Sequence, residues 1–232
     1  LEPAVITSFD TTVYGIDQSP DGTKIALGLR DSTVRVWNRN TSQQQILHGH
    51  EKRVFSVSFS DDSQSVASAS EDQTVRVWNL ETSTQRVCLN HPNRVNAVHF
   101  SGVGRVASAT ADQVLRVWSL DSTRSPRILH GHQRGIWSLD SAGGNRFITG
   151  SADGTVRYWS DTADSQPRFI INAQVRTTSL SPDGRFLAVG SNLGVVTIWD
   201  TKNGELCVEE KISTASINDI CWHPRCAEIA VA

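Results

Sequence analysis

The apolar residues of this 232-residue chain recur in short alternating stretches rather than on a helical period. In Val54-Phe55-Ser56-Val57-Ser58-Phe59 they alternate with small or polar residues. That is the period of a β-strand, whose successive side chains point to opposite faces. Ser60-Asp61-Asp62-Ser63 then predicts a turn, and Ser65-Val66-Ala67-Ser68-Ala69 a second strand. Glu71-Asp72-Gln73 predicts another turn before a strand that ends at Trp78, and Gln44-Gln45-Ile46-Leu47 an outer strand between units. In the first and fifth units the first turn reads Ser19-Pro20-Asp21-Gly22 and Ser181-Pro182-Asp183-Gly184. Proline presets its φ there, and glycine takes the positive φ that closes a tight turn.

The unit repeats. Thr33-Val34-Arg35-Val36-Trp37, Thr74-Val75-Arg76-Val77-Trp78, Val114-Leu115-Arg116-Val117-Trp118, Thr155-Val156-Arg157-Tyr158-Trp159 and Val195-Val196-Thr197-Ile198-Trp199 are versions of one strand. Their tryptophans are 41, 40, 41 and 40 residues apart, the regularity of a repeat architecture. The strands carry apolar or small residues on both faces, so a lone four-stranded sheet would leave one face wet. Setting such sheets radially covers both faces and shortens the exposed edges. The expected fold is all-β, a β-propeller. Five blades are complete, over residues 10–48, 49–89, 90–130, 131–171 and 172–212, and a sixth is partial, over 213–232.

On these residues the chain resembles the WD-repeat family. Gly49-His50, Gly131-His132 and the variant Asn90-His91 stand where that family has its Gly-His pair. The Trp-Asp ending is literal at Trp199-Asp200 and becomes Trp-Asn or Trp-Ser after Trp37, Trp78, Trp118 and Trp159. Family propellers usually close with seven blades. The resemblance therefore implies a fragment of a seven-bladed ring in which residues 3–9 form an outer closing strand; the alternative is an open ring that a partner completes. The chain holds no methionine and is read as a piece of something longer.

His50, Ser68 and Asp72 contain the residue types of a nucleophilic triad. The same set recurs in register, with a tryptophan, as His50, Ser68, Asp72 and Trp78; His91, Ser108, Asp112 and Trp118; and His132, Thr149, Asp153 and Trp159. Three equivalent active sites are a poor explanation. A buried network joining indole, hydroxyl, imidazole and carboxylate is a better one, and it resembles the family's structural tetrad. No catalytic residue is expected. Unit one has Phe9 and Leu27 at the imidazole and hydroxyl places, and unit five has Ile171, Val189 and Leu193 at the three polar ones; burial should hold those blades.

Composition narrows the function. With 38% hydrophobic and 20% charged residues the chain reads as globular, and a net charge of −2 gives no general basic excess for nucleic acid or anionic membrane. Four unevenly spaced cysteines suit reduced thiols in an intracellular protein, cytoplasmic or nuclear. No apolar run approaches membrane-spanning length. Cys207, Cys221, His223 and Cys226 fit no familiar zinc spacing, and neither metal nor cofactor is expected. Arg35, Arg76, Arg116 and Arg157 are standard for the family strand and are expected to pair with acids between blades.

In propellers of this family the loops entering the first strand and preceding the third meet on one rim around the channel, which often captures a peptide. Register places Tyr14, Phe55, Asn96, Trp137, Arg176 and Asn218 there, together with Arg30, Glu71, Arg53, Arg94 and Arg134. Aromatic residues and arginine are what interaction hot spots are enriched in. The expected function is a non-catalytic scaffold that binds proteins or peptides, with an acidic or phosphorylated segment as the natural ligand if the arginines act together. Other domains of the same longer chain are further candidate partners. The alternatives are a nucleic-acid or phospho-ligand reader using the same arginines, and a purely architectural subunit.

Overall fold

The computed structural model describes residues 10–102, 104–121, 124–141, 146–160, 167–222 and 228–232. The strand expected at residues 3–9, Phe9, His223 and Cys226 lie outside them. All the elements described are strands. Blade 1 comprises β1 (Val13–Gln18), β2 (Lys24–Leu29), β3 (Val34–Asn38) and β4 (Gln44–Leu47). Blade 2 comprises β5 (Val54–Phe59), β6 (Ser65–Ser70), β7 (Thr74–Asn79) and β8 (Thr84–Asn90). Blade 3 holds β9 (Val95–Phe100), β10 (Arg105–Thr110), β11 (Leu115–Ser119) and β12 (Arg127–Leu129). Blade 4 holds β13 (Ile136–Ser141), β14 (Phe147–Ser151), β15 (Thr155–Trp159) and β16 (Pro167–Ile170). Blade 5 holds β17 (Val175–Leu180), β18 (Phe186–Ser191), β19 (Val195–Asp200) and β20 (Leu206–Lys211). A two-stranded sheet, β21 (Ile220–Trp222) with β22 (Ile229–Val231), belongs to a sixth blade. Every sheet is an antiparallel meander in chain order, which short turns such as those at Gly22 (φ 71°) and Gly184 (φ 70°) permit.

The hydrophobic core lies between blades. Ala26, Val34, Val36 and Leu47 of blade 1 pack on Val54, Val57, Phe59, Val66 and Trp78 of blade 2. The pattern repeats from Val75 and Val77 to Val98 and Phe100, from Leu115 and Leu129 to Phe147 and Trp159, from Ile148 and Phe169 to Val175 and Leu187, and from Ala188 and Val196 to Ile217 and Ile220. Each sheet is thus covered on a face by its neighbour. At Gly190 the approach is so close that a Cβ would meet Ile217 Cγ2 at 2.6 Å.

Within blades 2 and 4 the polar network runs unbroken. Trp78 Nε1 donates to Ser68 Oγ at 2.8 Å, Ser68 lies 2.8 Å from His50 Nε2, and His50 Nδ1 lies 2.7 Å from Asp72. The corresponding distances through Trp159, Thr149, His132 and Asp153 are 2.7, 2.7 and 2.9 Å. Ser68 and Thr149 are fully buried, with their hydroxyls spoken for on both sides, so neither can meet a substrate as a nucleophile. Burial alone would raise the pKa of Asp72, but hydrogen bonds from His50 and Thr74 outweigh it and hold the carboxyl well below its usual range.

Blade 3 departs from the expected tetrad. Trp118, Ser108 and His91 keep the chain, at 3.0 and 2.8 Å. Asp112 does not join it: His91 Nδ1 donates to the Leu89 carbonyl instead, at 3.0 Å. Asp112 is held by Arg116 Nη2 at 2.6 Å. The cause is visible one residue before the histidine. A Cβ on Gly49 or Gly131 would lie 2.5 or 2.6 Å from the guanidinium of Arg76 or Arg157. Asn90 carries such a Cβ, so Arg116 cannot take that place and turns to Asp112. Val114, where blades 2 and 4 have Thr74 and Thr155, also removes the hydroxyl that steadies the carboxylate in those blades. The strand arginines do not all pair with acids between blades either. Arg35 pairs with Asp31 and Arg116 with Asp112, each inside its own blade, and Arg76 donates to Gln85.

Removing Asp72 leaves the His50 N–H only Thr74 Oγ1, at 3.2 Å, whereas removing Asp112 leaves His91 bonded and instead takes the carboxylate from the buried Arg116. In double-mutant cycles followed by urea unfolding, His50 and Asp72 should couple by about 1 kcal/mol or more and His91 and Asp112 by less than about 0.5 kcal/mol; equal couplings would contradict this assignment. Burial lowers the pKa of His91 to about 4, so the ring is neutral in the fold and charges more readily once unfolded. The stability this gives is whole above pH 6.5 and lost as the pH falls towards 4, about 3 kcal/mol from His91. Burial lowers His132 as well, against the pull of Asp153. The melting temperature should fall between pH 6.5 and 4, and less steeply in His91→Gln.

Candidate functional site

The first strands β1, β5, β9, β13 and β17 pack side by side in succession, with β21 beside β17. Together they line one central cavity of about 310 Å³. Each first strand is an inner edge and cannot pair with another by a full ladder. Side chains cap it instead: Asp17 accepts the Phe59 N–H at 2.7 Å, Ser58 that of Phe100 at 3.1 Å, and Asp140 that of Leu180 at 2.9 Å.

The residues that reach the channel mouth do so through an irregularity shared by all five complete blades. The pairing of first and second strand slips by one residue between Val13 and Gly15, Val54 and Ser56, Ile136 and Ser138, and Val175 and Thr177. In blade 3 the slip skips Asn96. A bulge leaves its extra residue unpaired and re-aims the side chain. The bulged residues are Tyr14, Phe55, Asn96, Trp137 and Arg176, and with Asn218 all of them line the cavity.

Tyr14 and Phe55 meet edge to face, with ring centroids 5.6 Å apart. Arg94 and Arg176 both lie over the Trp137 ring, their guanidinium carbons 4.8 and 4.4 Å from its centroid. Burial and then the Arg94 charge lower the pKa of Arg176. Arg94 is placed by the Ala111 N–H bonding its carbonyl at 3.1 Å, and Arg53 by the Glu71 N–H at 3.0 Å. Arg53 also forms an ion pair with Glu71, at 2.9 Å, so those two charges answer each other. Of the residues expected at the mouth, Arg30, Arg53, Glu71, Arg94 and Arg134 do not line the cavity, and Arg30, Arg53 and Arg134 are exposed. Asn96 Nδ2 donates to the Ile136 carbonyl at 2.7 Å. Asn96 Oδ1 and Trp137 Nε1 are buried without a hydrogen-bond partner among the described residues.

Register does not mark Asp17, His99 and Asp140, which line the same cavity further along the first strands, nor Asp219, which lines it beside Asn218. Burial raises the pKa of Asp17 and of Asp219. The signal was the position three residues beyond the bulge, occupied by Asp17, Ser58, His99 and Asp140 in turn. The channel is therefore cationic and aromatic at its mouth and acidic further in.

Among the described residues no group of three or more His, Cys, Asp or Glu is placed to hold a metal ion. Nor is any helix among them long and apolar enough to cross a membrane. Cys88, Cys207 and Cys221 are free thiols.

With stacked four-stranded blades around a mouth of bulged side chains, the architecture is that of a repeat propeller. The family model for the WD domain, G-beta repeat, matches residues 4–38, 41–79, 83–119, 123–160 and 166–200, and the chain belongs to that family. No curated protein matches the chain significantly. WD repeats generally mediate protein–protein interaction, and proteins built from them are generally non-catalytic scaffolds.

Rim and core aromatics should respond differently to truncation. Trp137 is bulged out of the ladder, whereas Trp159 is 1% exposed and bonded to Thr149. Trp159→Ala should lose about 3–5 kcal/mol, and Trp137→Ala less than about 1 kcal/mol, in denaturant unfolding.

Proposed function

We propose that this chain is a non-catalytic interaction scaffold, one module of a larger intracellular assembly, which holds peptide segments or partner proteins at the mouth of its channel. The preferred segment is acidic or phosphorylated. One observation carries this reading: Arg94 and Arg176 both converge on the Trp137 ring, close enough for the Arg94 charge to be felt by Arg176. Two like charges held close in a partly dry setting repel one another. A carboxylate or phosphate between them relieves that repulsion and gains charge-assisted hydrogen bonds. Aromatic surface at Tyr14, Phe55 and Trp137 supplies the apolar contact that anchors such a segment.

Asp17 and Asp140 further in keep any anionic ligand at the mouth, and a net charge of −2 gives no general attraction for a nucleic-acid backbone. The test uses fluorescent peptides of one length that are glutamate-rich, phosphoserine-containing, lysine-rich or neutral. Acidic and phosphorylated peptides should bind, and the Arg94→Ala, Arg176→Ala double variant should weaken them tenfold or more while melting as wild type does. Equal binding of acidic and lysine-rich peptides would overturn the reading.

A further inference from the structure

Blade 5 lacks the arginine that fills the groove beside the tryptophan in other blades. In blade 2 Arg76 and the Trp78 ring both close on Gly49, and Arg76 donates to Gln85 on the neighbouring strand at 2.5 Å. In blade 4 Arg157 and the Trp159 ring close on Gly131 in the same way. Sheet register gives the blade 5 counterparts. Arg76 and Trp78 pair with Cys88 and Gln85, whereas Thr197 and Trp199 pair with Glu209 and Leu206. Threonine thus stands for the arginine and leucine for the glutamine, and Ile170 and Ile171 take the places of Gly49 and His50. The groove is left open as a cavity of about 260 Å³ between blades 4 and 5.

The same exchanges decide its chemistry. Ile170, Ile171, Leu193, Val195, Trp199 and Leu206 line it. Ile170, Leu193 and Leu206 are 71%, 53% and 44% exposed, a contiguous apolar patch that association would take out of water. Trp199 is itself partly exposed, unlike the buried Trp78 and Trp159. One lining residue is charged, Glu209. It is exposed, and its carboxylate has neither an ion pair nor a hydrogen bond among the described residues. Glu205, Glu209 and Glu210 against Lys211 leave this edge negative, which sets it against an anionic membrane surface. The volume lies below the roughly 300–1,000 Å³ of a small-molecule pocket and suits one or two side chains of a larger partner.

We infer that this groove is a second docking surface, and that its occupant is a segment of a partner protein carrying a large aliphatic side chain next to a lysine or arginine. The aliphatic side chain fills the room left by the missing arginine, against Trp199 and Leu193. The cation reaches Glu209 and gives that carboxylate the partner it lacks. Apolar burial supplies the affinity, and the charge pair supplies the selectivity. The channel mouth, as proposed above, takes acidic segments; this groove takes basic ones, and the two surfaces act independently.

The test uses three fluorescent peptides of one length on a glycine–serine background. The first carries leucines flanked by lysines, the second the same leucines flanked by glutamates, and the third the lysines alone. The leucine–lysine peptide should bind at least tenfold more tightly than either of the others. It should move the indole signal of Trp199 in the nitrogen-labelled chain and leave that of Trp137 in place. Leu193→Glu should weaken it tenfold or more, and Glu209→Lys should reverse the preference in favour of the leucine–glutamate peptide. Both positions are exposed, so both variants should melt as the wild type does. Equal binding of the two leucine peptides, a preference that Glu209→Lys leaves unchanged, or a Trp199 signal that stays in place would overturn the inference. Self-association of the chain in sedimentation without peptide, abolished by Leu193→Glu, would give the groove to a second copy and overturn it as well.

Discussion

Everything in this molecule follows from sheets that are apolar on both faces. Such a sheet cannot stand alone in water, and the five hydrophobic clusters each join the face of one blade to the face of the next. Burial of this kind is the dominant favourable term in folding. Because it is satisfied only by a neighbour on each side, the blades must be set radially, and a radial set must leave a channel where the first strands meet. The channel is therefore a by-product of how the core is covered, and the side chains that reach it are available for work that packing does not require.

How those side chains reach it is a second consequence. First strands that pack side by side without pairing must end their ladders with caps, which Asp17, Ser58 and Asp140 supply. They shed one residue per blade as a bulge at the mouth. The bulged residues differ from blade to blade, whereas the core residues behind them are nearly interchangeable. Individuality in this repeat protein is concentrated at the mouth.

Much of this was legible in the sequence. The period near 40 residues, the strand ending in tryptophan and the Ser-Pro-Asp-Gly turns correspond to five four-stranded sheets in chain order. Spacing also placed Tyr14, Phe55, Trp137 and Arg176 around one cavity. What spacing could not carry was pairwise competition. Asp112 sits at the register of Asp72 and Asp153, yet Asn90 displaces Arg116 onto it and the tetrad opens. Glu71 is expected at the mouth, yet it does not line the cavity and its charge goes to Arg53. The acidic inner wall was missed because Asp17, His99 and Asp140 look like ordinary strand residues until the bulge reveals which way they point.

The central claim is that the channel mouth, not the buried network, meets the partner. Trp137 reports on it directly, because its indole N–H is buried at the mouth without a partner while those of Trp78 and Trp159 are bonded to Ser68 and Thr149. Indole resonances of the nitrogen-labelled chain can be followed as a glutamate-rich or phosphorylated peptide is added. The account predicts that the Trp137 signal moves in a saturable way while those of Trp78 and Trp159 stay in place. A Trp137 signal that does not move, or one that moves only together with the two buried tryptophans, would contradict it.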